Sequence, residues 1–290
     1  MWSLSRPVFH VGLSAQRLVL ARASGLWSGK LTDWESIDLP GRSDGSGSSG
    51  TSGAVNTPPW KPAVDALADC LARKKADKPS LRVVLSGRFV RWQLLPWRNE
   101  LTHSNEVAAY TSLRFLETFG KSAQDWQMVH SPQGPARPAP ACAVDAALMD
   151  ALQQLNATTS ARLDLVTPYF SAAFDQWRGK LRNKPTWFGA IESDCVTLGL
   201  LKDNHWVSLQ SQRLSDDWRE ILPGMMAQMR IALGMADPSM PIYLVGEAGP
   251  ATSPAPPAKL NPQRDLQVVW LKPAAGSGHK VPGHRLALGV

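Results

Sequence analysis

The chain has 290 residues, a formal net charge of +7 and a hydrophobic content of 43%. Such a chain buries a large core, either as one sizeable domain or as two lobes of about 100 to 150 residues each. Its cysteines, Cys70, Cys142 and Cys195, form no CxxC pair, which argues against a disulfide framework or a zinc site and favours a reducing cytoplasm. No stretch approaches the ~18 apolar residues that cross a bilayer, so we expect membrane association only through a partner.

The positive charge raises the possibility of nucleic-acid binding. Arginine and lysine are, however, scattered along the chain, and only residues 178–184 form a local basic cluster. There is no zinc-finger spacing and no RNA-recognition motif. We therefore expect no nucleic acid, and a basic surface that faces anionic lipid headgroups or an acidic partner instead.

The first predicted element is a hairpin over residues 8–22. An apolar strand enters the turn Gly12-Leu13-Ser14-Ala15, and a second apolar strand leaves it. Small turn residues let a phosphate approach the backbone closely. An ATPase would also need a carboxylate here to hold hydrated Mg²⁺, and the segment His10-Val11-Gly12 has none. The hairpin therefore predicts a phosphate-loop scaffold that has lost its chemistry.

A flexible loop is predicted next, because residues 41–59 are almost entirely glycine, serine and other residues that bury little. Apolar periodicity then predicts elements in the following order: a helix at 60–76, strands at 81–85 and 89–96, a helix from 104 to 119, a short strand at 126–129, a helix at 144–155, a strand at 163–166 and a helix from 168 to 177.

The second half repeats the beginning of the first. A strand at 187–191, the turn Glu192-Ser193-Asp194 and a strand at 195–201 form another tight hairpin. A third strand, a long helix and the strand at 242–245 follow. Two halves that each open on such a hairpin are the outline of a two-lobed fold of the actin, Hsp70 and sugar-kinase type.

Five segments, taken in order, resemble one family. They are VGLSAQRLVLARA, LRVVLSGRFVRWQLLPW, LDLVTPYFSAAFDQW, WFGAIESDCVTLGLL and IYLVGEAGP. They are similar to PilM, the cytoplasmic actin-fold component of type IV pilus machines, and to the cytoplasmic domain of the type II secretion protein GspL. The resemblance implies an α/β, actin-like, duplicated ribonuclease H-like fold. Its first lobe would span 1–177 with a small α+β subdomain inserted at about 82–140, and its second lobe would span 178–290.

The resemblance also marks a nucleotide cleft, at Gly12, Ser14, Gly246 and Gly249, but each expected contact is altered. Nucleotide-binding members carry an aspartate at the first hairpin, Asp-x-Gly at the second and two successive glycines beside the adenosine. Here His10 and Val11, Glu192-Ser193-Asp194 and Gly246-Glu247-Ala248-Gly249 take those places. We expect a vestigial cleft that binds neither ATP nor Mg²⁺, with no catalytic residue and no metal site.

The function implied is that of a non-catalytic scaffold on the cytoplasmic side of the inner membrane. Such proteins hold the cytoplasmic tail of an inner-membrane partner, as PilM holds PilN, and connect it to the assembly ring or the motor ATPase. In the family the tail docks beside the inserted subdomain. The residues expected on that face are Trp92, Leu94, Trp97, Phe115 and Phe119, flanked by Arg88, Arg91 and Arg98.

Two alternatives remain open at this point. An active ATPase or phosphotransferase would use relocated carboxylates, Glu192 and Asp194, to hold Mg²⁺. A charge-driven binder of nucleic acid or lipid surfaces would show steep salt dependence without sequence preference.

Overall fold

The computed structural model describes residues 6–24, 30–39, 57–74, 78–214, 217–235, 240–246, 268–272 and 283–289. The predicted loop at 41–59 lies outside these ranges except for its last three residues, and Gly249 lies outside them as well.

The described chain folds into thirteen strands and six α-helices, numbered in chain order. The strands are β1 Val8–Leu13, β2 Arg17–Ser24, β3 Lys30–Asp38, β4 Ser80–Leu85, β5 Val90–Leu95, β6 Trp126–His130, β7 Ala139–Asp145, β8 Arg162–Pro168, β9 Thr186–Ile191, β10 Cys195–Lys202, β11 His205–Arg213, β12 Ile242–Gly246 and β13 Val268–Trp270. The helices are α1 Lys61–Lys74, α2 Ser104–Phe119, α3 Ala146–Thr159, α4 Tyr169–Leu181, α5 Trp218–Ala232 and α6 His284–Leu288.

Two five-stranded sheets have the same topology. The first has the order β3-β2-β1-β4-β8 and the second the order β11-β10-β9-β12-β13. In each sheet the first strand pairs antiparallel with the strand that follows it and parallel with the fourth. The duplication predicted from the two hairpins is therefore confirmed.

Each sheet buries one face under helices of its own lobe. In the first lobe, Val11 and Leu13 of β1 pack with Leu67 of α1 and with Leu148 and Leu152 of α3. All five side chains are fully buried, which is the burial expected of a central parallel strand and of the apolar stripe of a helix.

In the second lobe the amphipathic helix α5 covers the sheet. Its methionines, Met225, Met226 and Met229, pack on Trp187 and Leu198. The three methionines of this helix therefore fill the core of the second lobe.

The small subdomain is a three-stranded sheet, β5-β7-β6, with α2 on one face. Its strands run from Val90 to Asp145, whereas residues 82–85, at the start of the predicted insertion, belong to β4 in the first-lobe sheet. Strand β7 lies in the middle of this sheet, whereas the sequence predicted no strand between the one at 126–129 and the helix at 144–155.

One helix that follows each sheet packs against the sheet of the other lobe. Helix α4 follows the last strand of the first sheet but packs against Phe188 and Ala190 of β9 in the second. Helix α6 follows the second sheet but packs against β1 of the first. The predicted lobe boundary at 177 therefore falls inside a single helix whose contacts join the two lobes.

His10 lies in β1 on the face opposite Val11, next to Arg82 of β4 in the parallel register. Burial, and then the charge of Arg82, lower the pKa of His10 below its ordinary value of 6.5. As the pH falls below 6.5 the unfolded chain takes up a proton that the folded chain does not. The free energy of unfolding therefore keeps its full contribution from neutral His10 above that pH and decreases on acidification.

We predict that His10→Gln weakens the loss of stability between neutral and mildly acidic pH, because the variant has no imidazole to protonate in the unfolded state. Urea unfolding of both proteins across this pH range measures the effect. Parallel pH profiles of the two proteins would contradict the assignment.

Candidate functional site

The cleft between the lobes is bordered by the two hairpin turns that the sequence singled out. A cavity of about 110 Å³ lies there, with Ser14, Arg17, Tyr169, Glu192 and Leu286 among its lining residues. Ligand pockets commonly measure about 300 to 1,000 Å³, so this one is small.

The first turn satisfies its own polar groups. The hydroxyl of Ser14 donates to the carbonyl of Arg17 over 3.0 Å and accepts from the Arg17 N–H over 2.9 Å. The backbone N–H of Ser14 donates to the same carbonyl. Ser14 therefore closes the turn of the hairpin.

Gly12 is in contact with helix α6. A β-carbon at this position would lie 2.8 Å from the backbone nitrogen of Ala287 and 3.0 Å from Cγ of Leu286. Real β-carbons almost never come that close to backbone, so α6 reaches β1 only because residue 12 has no side chain. The glycine that the resemblance assigns to a phosphate is used to pack this helix.

Gly246 is constrained in a similar way. Its φ angle is +129°, and a β-carbon would lie 1.9 Å from the carbonyl oxygen of Ile191. Its own carbonyl accepts a hydrogen bond from the guanidinium of Arg285 in α6. Helix α6 thus contacts both described glycines of the predicted nucleotide cleft.

The second turn carries a buried carboxylate. Glu192 is 7% exposed, and its Oε1 accepts a hydrogen bond of 2.8 Å from the backbone N–H of Gly87. Because Gly87 follows β4, this bond joins the first lobe to the second. Within the described ranges, no group of three or more His, Cys, Asp or Glu side chains is arranged to hold a metal ion.

The buried thiol of Cys195 follows the same turn. Burial, with a further contribution from the charge of Glu192, raises the pKa of Cys195 to about 12. The thiol is therefore protonated at neutral pH and is a poor nucleophile.

The five residues predicted to form a docking face lie on both sides of the subdomain sheet. Alternate residues of β5 point to opposite faces. Trp92 and Leu94 face the lobes and pack on their core, where Trp92 meets Phe170 of α4 at 5.6 Å between ring centroids.

Phe115 and Phe119 lie on the α2 side of this sheet. Phe115 is fully buried, and Phe119 stacks on it at 5.7 Å and contacts Trp126 edge to face at 5.3 Å. The docking role expected of Phe115 is thereby corrected, because its ring fills the subdomain core and presents no surface.

Trp97 lies at the surface. It is 42% exposed, and its indole N–H donates to the side chain of Asn99 over 2.6 Å. It borders what we call the tip groove, a concavity of about 110 Å³. The residues that line the tip groove are Leu95, Pro96, Trp97, Arg98, Leu101, Val107, Tyr110, His130, Pro132, Gln133, Gly134, Arg137 and Ala139.

The tip groove has an apolar floor and two cations. Trp97, Leu101 and Tyr110 supply apolar surface, and Arg98 and Arg137 are exposed. The described residues that line the groove include no carboxylate. Sequence reasoning found Trp97 and Arg98 but missed the others. Arg137 lies in the proline-rich segment before β7, which has no periodicity, and Tyr110 belongs to the apolar stripe that predicts the core face of the helix.

No family model and no curated protein matches the sequence. Solved structures do match, over most of their length. A Bacteroides thetaiotaomicron protein with an actin-like ATPase fold and unknown function is 9% identical, with a TM-score of 0.57 over 87% of each chain.

The chain has an actin-like fold. The cytoplasmic domain of EpsL, an inner-membrane component of the type II secretion system of Vibrio cholerae, is 12% identical, with a TM-score of 0.53 over 83% of this chain and 82% of that one. The PilM–PilN type IV pilus biogenesis complex gives 15% identity and a TM-score of 0.54, covering 82% of this chain and 81% of the matched one. The fold implied by the sequence resemblance to PilM and GspL is therefore confirmed.

Among the described residues, no helix combines the length and the apolar character that crossing a bilayer requires.

We predict that Gly12→Ala destabilises the protein by about 1 to 3 kcal/mol, because the added methyl group has to displace α6 from β1. Urea unfolding measures the change. Gly179→Ala is the matched control, since a β-carbon there meets nothing within 4 Å and Ala favours the helix. Equal stability of Gly12→Ala and the wild type would contradict the packing role of Gly12.

Proposed function

We propose that this protein is a non-catalytic, actin-like scaffold of a type IV pilus-like or type II secretion-like assembly. The observation that supports it best is the position of α6, which packs on Gly12 and bonds to Gly246. Two glycines that would otherwise approach a nucleotide are used for contacts within the chain.

The proposed partner is the cytoplasmic tail of a PilN-like inner-membrane protein. Support comes from the two structural neighbours that belong to envelope machines, one of which is a complex of PilM with PilN. The tail would hold the protein at the cytoplasmic face of the inner membrane, and the assembly ATPase is the second partner that we propose. On this proposal, contact with the membrane is indirect.

The tip groove is the proposed docking site. A short peptide with an apolar anchor would bury it against Trp97, Leu101 and Tyr110, and an acidic residue of the peptide would pair with Arg98 or Arg137. Aromatic and arginine side chains provide a large share of binding energy in small interfaces.

We predict that Trp97→Ala weakens binding of a peptide of the cytoplasmic tail of the proposed PilN-like partner by at least about tenfold, since a buried aromatic anchor commonly contributes about 2 kcal/mol or more. Isothermal titration calorimetry measures the affinity. Leu113→Ala is the matched control, because Leu113 is 51% exposed on α2 of the same subdomain but does not line the groove. Equal affinity of Trp97→Ala and the wild type would remove the tip groove as the docking site.

The proposal also predicts that Mg-ATP gives no saturable heat on titration into the protein. The alternative, an active ATPase or phosphotransferase, predicts submillimolar binding that Asp194→Ala abolishes. That second result would replace the scaffold by an enzyme with Glu192 and Asp194 as metal ligands.

A further inference from the structure

Another cavity lies between the small subdomain and the second lobe. It measures about 320 Å³ and shares no lining residue with the cavity in the cleft. The residues that line it are Gly87, Arg88, Val90, Arg91, Trp92, Phe119, Cys195, Ser211, Gln212 and Arg213. We call it the arginine cavity.

Its charge is of one sign. Among the described residues that line it there are three arginines and no carboxylate. The nearby carboxylate of Glu192 accepts the N–H of Gly87 and lines the other cavity. Within the described ranges, neither Arg91 nor Arg213 forms a salt bridge.

Arg91 is held in place by local contacts. Its guanidinium donates to the carbonyls of Arg88 and Val90 over 3.1 and 3.2 Å and lies 5.9 Å from the ring centroid of Trp126. These partners fix the side chain, and none of them among the described residues supplies a counter-charge. A guanidinium held in this way needs little reorganisation to bind an anion.

The direction of the pKa shift of Arg91 agrees with a positive electrostatic potential in the arginine cavity. Burial lowers the pKa of Arg91, and the positive charges of Arg213 and Arg88 lower it further. The like charges therefore act on one another across the cavity, and a bound anion would relieve their repulsion.

We propose that the arginine cavity binds the phosphate group of a small phosphorylated compound, with Arg91 and Arg213 as its charged ligands. Two guanidinium charges match a phosphate dianion, and the forked N–H donors of arginine match its oxygens in pairs. Trp92 and Phe119 give the rest of the compound an apolar wall. The volume is in the range of small-molecule pockets.

A ligand in this cavity bridges two parts of the molecule. Arg91 belongs to the small subdomain, and Arg213 belongs to β11, an edge strand of the second-lobe sheet. Binding therefore stabilises the contact between the subdomain and the second lobe, independently of any peptide in the tip groove.

The test is a titration of the full chain with sodium pyrophosphate at low ionic strength, where screening is weak. We expect saturable binding with one site, and a loss of affinity of about tenfold or more in each of Arg91→Gln and Arg213→Gln, as for other hydrogen bonds to charged groups. Arg17→Gln is the matched control, because Arg17 lines the cavity in the cleft. Arg213 is exposed, so its variant keeps the test valid even if Arg91→Gln unfolds.

Sedimentation with vesicles that contain phosphatidic acid distinguishes a lipid headgroup from a soluble compound as the source of the phosphate. Sedimentation that Arg213→Gln abolishes assigns a lipid source, and pyrophosphate binding without sedimentation assigns a soluble one. Absence of saturable pyrophosphate binding would overturn the proposal. So would binding that Arg17→Gln abolishes and Arg213→Gln leaves intact, because the anion would then lie in the cleft.

Discussion

The packing of Phe170 holds the three parts of this molecule together. The ring lies in α4, is almost fully buried, and contacts Trp92 of the subdomain and Phe188 and Trp206 of the second lobe at centroid distances of 5.3 to 5.6 Å. Aromatic pairs at such distances stabilise a fold beyond the area they bury. Because α4 follows the last strand of the first sheet, one side chain fixes the position of the subdomain and of both lobes.

Local patterns in the sequence were sufficient for much of the fold. The two hairpins follow from apolar strands that flank small or polar turns, and the core role of Met225, Met226 and Met229 follows from helical spacing. These signals depend on neighbours within a few residues, which is the range over which periodicity is informative. Strand β7 was missed because Ala and Pro disfavour strands, and only pairing with both β5 and β6 stabilises it.

The candidate sites were harder to predict because they also depend on contacts between residues that are distant in the sequence. The assignment of Gly12 to a phosphate followed from its turn, but Ala287, which occupies the adjacent space, is distant in sequence. Phe115 and Trp97 are both aromatic residues near the subdomain sheet, and the sequence gives no local sign that one is buried and the other exposed. The arginine cavity forms where β5 meets β11. No short segment of the sequence indicates that these two strands lie side by side.

The hydrogen bond between Glu192 and Gly87 bears on how the protein moves. Hinge separation of the lobes would break this hydrogen bond of 2.8 Å, and a hydrogen bond to a charged group commonly contributes about 1.5 to 3 kcal/mol. Actin-like enzymes are built to open and close around their substrates, whereas this bond favours a single closed arrangement. Surfaces on the two lobes are then held at a fixed distance from each other.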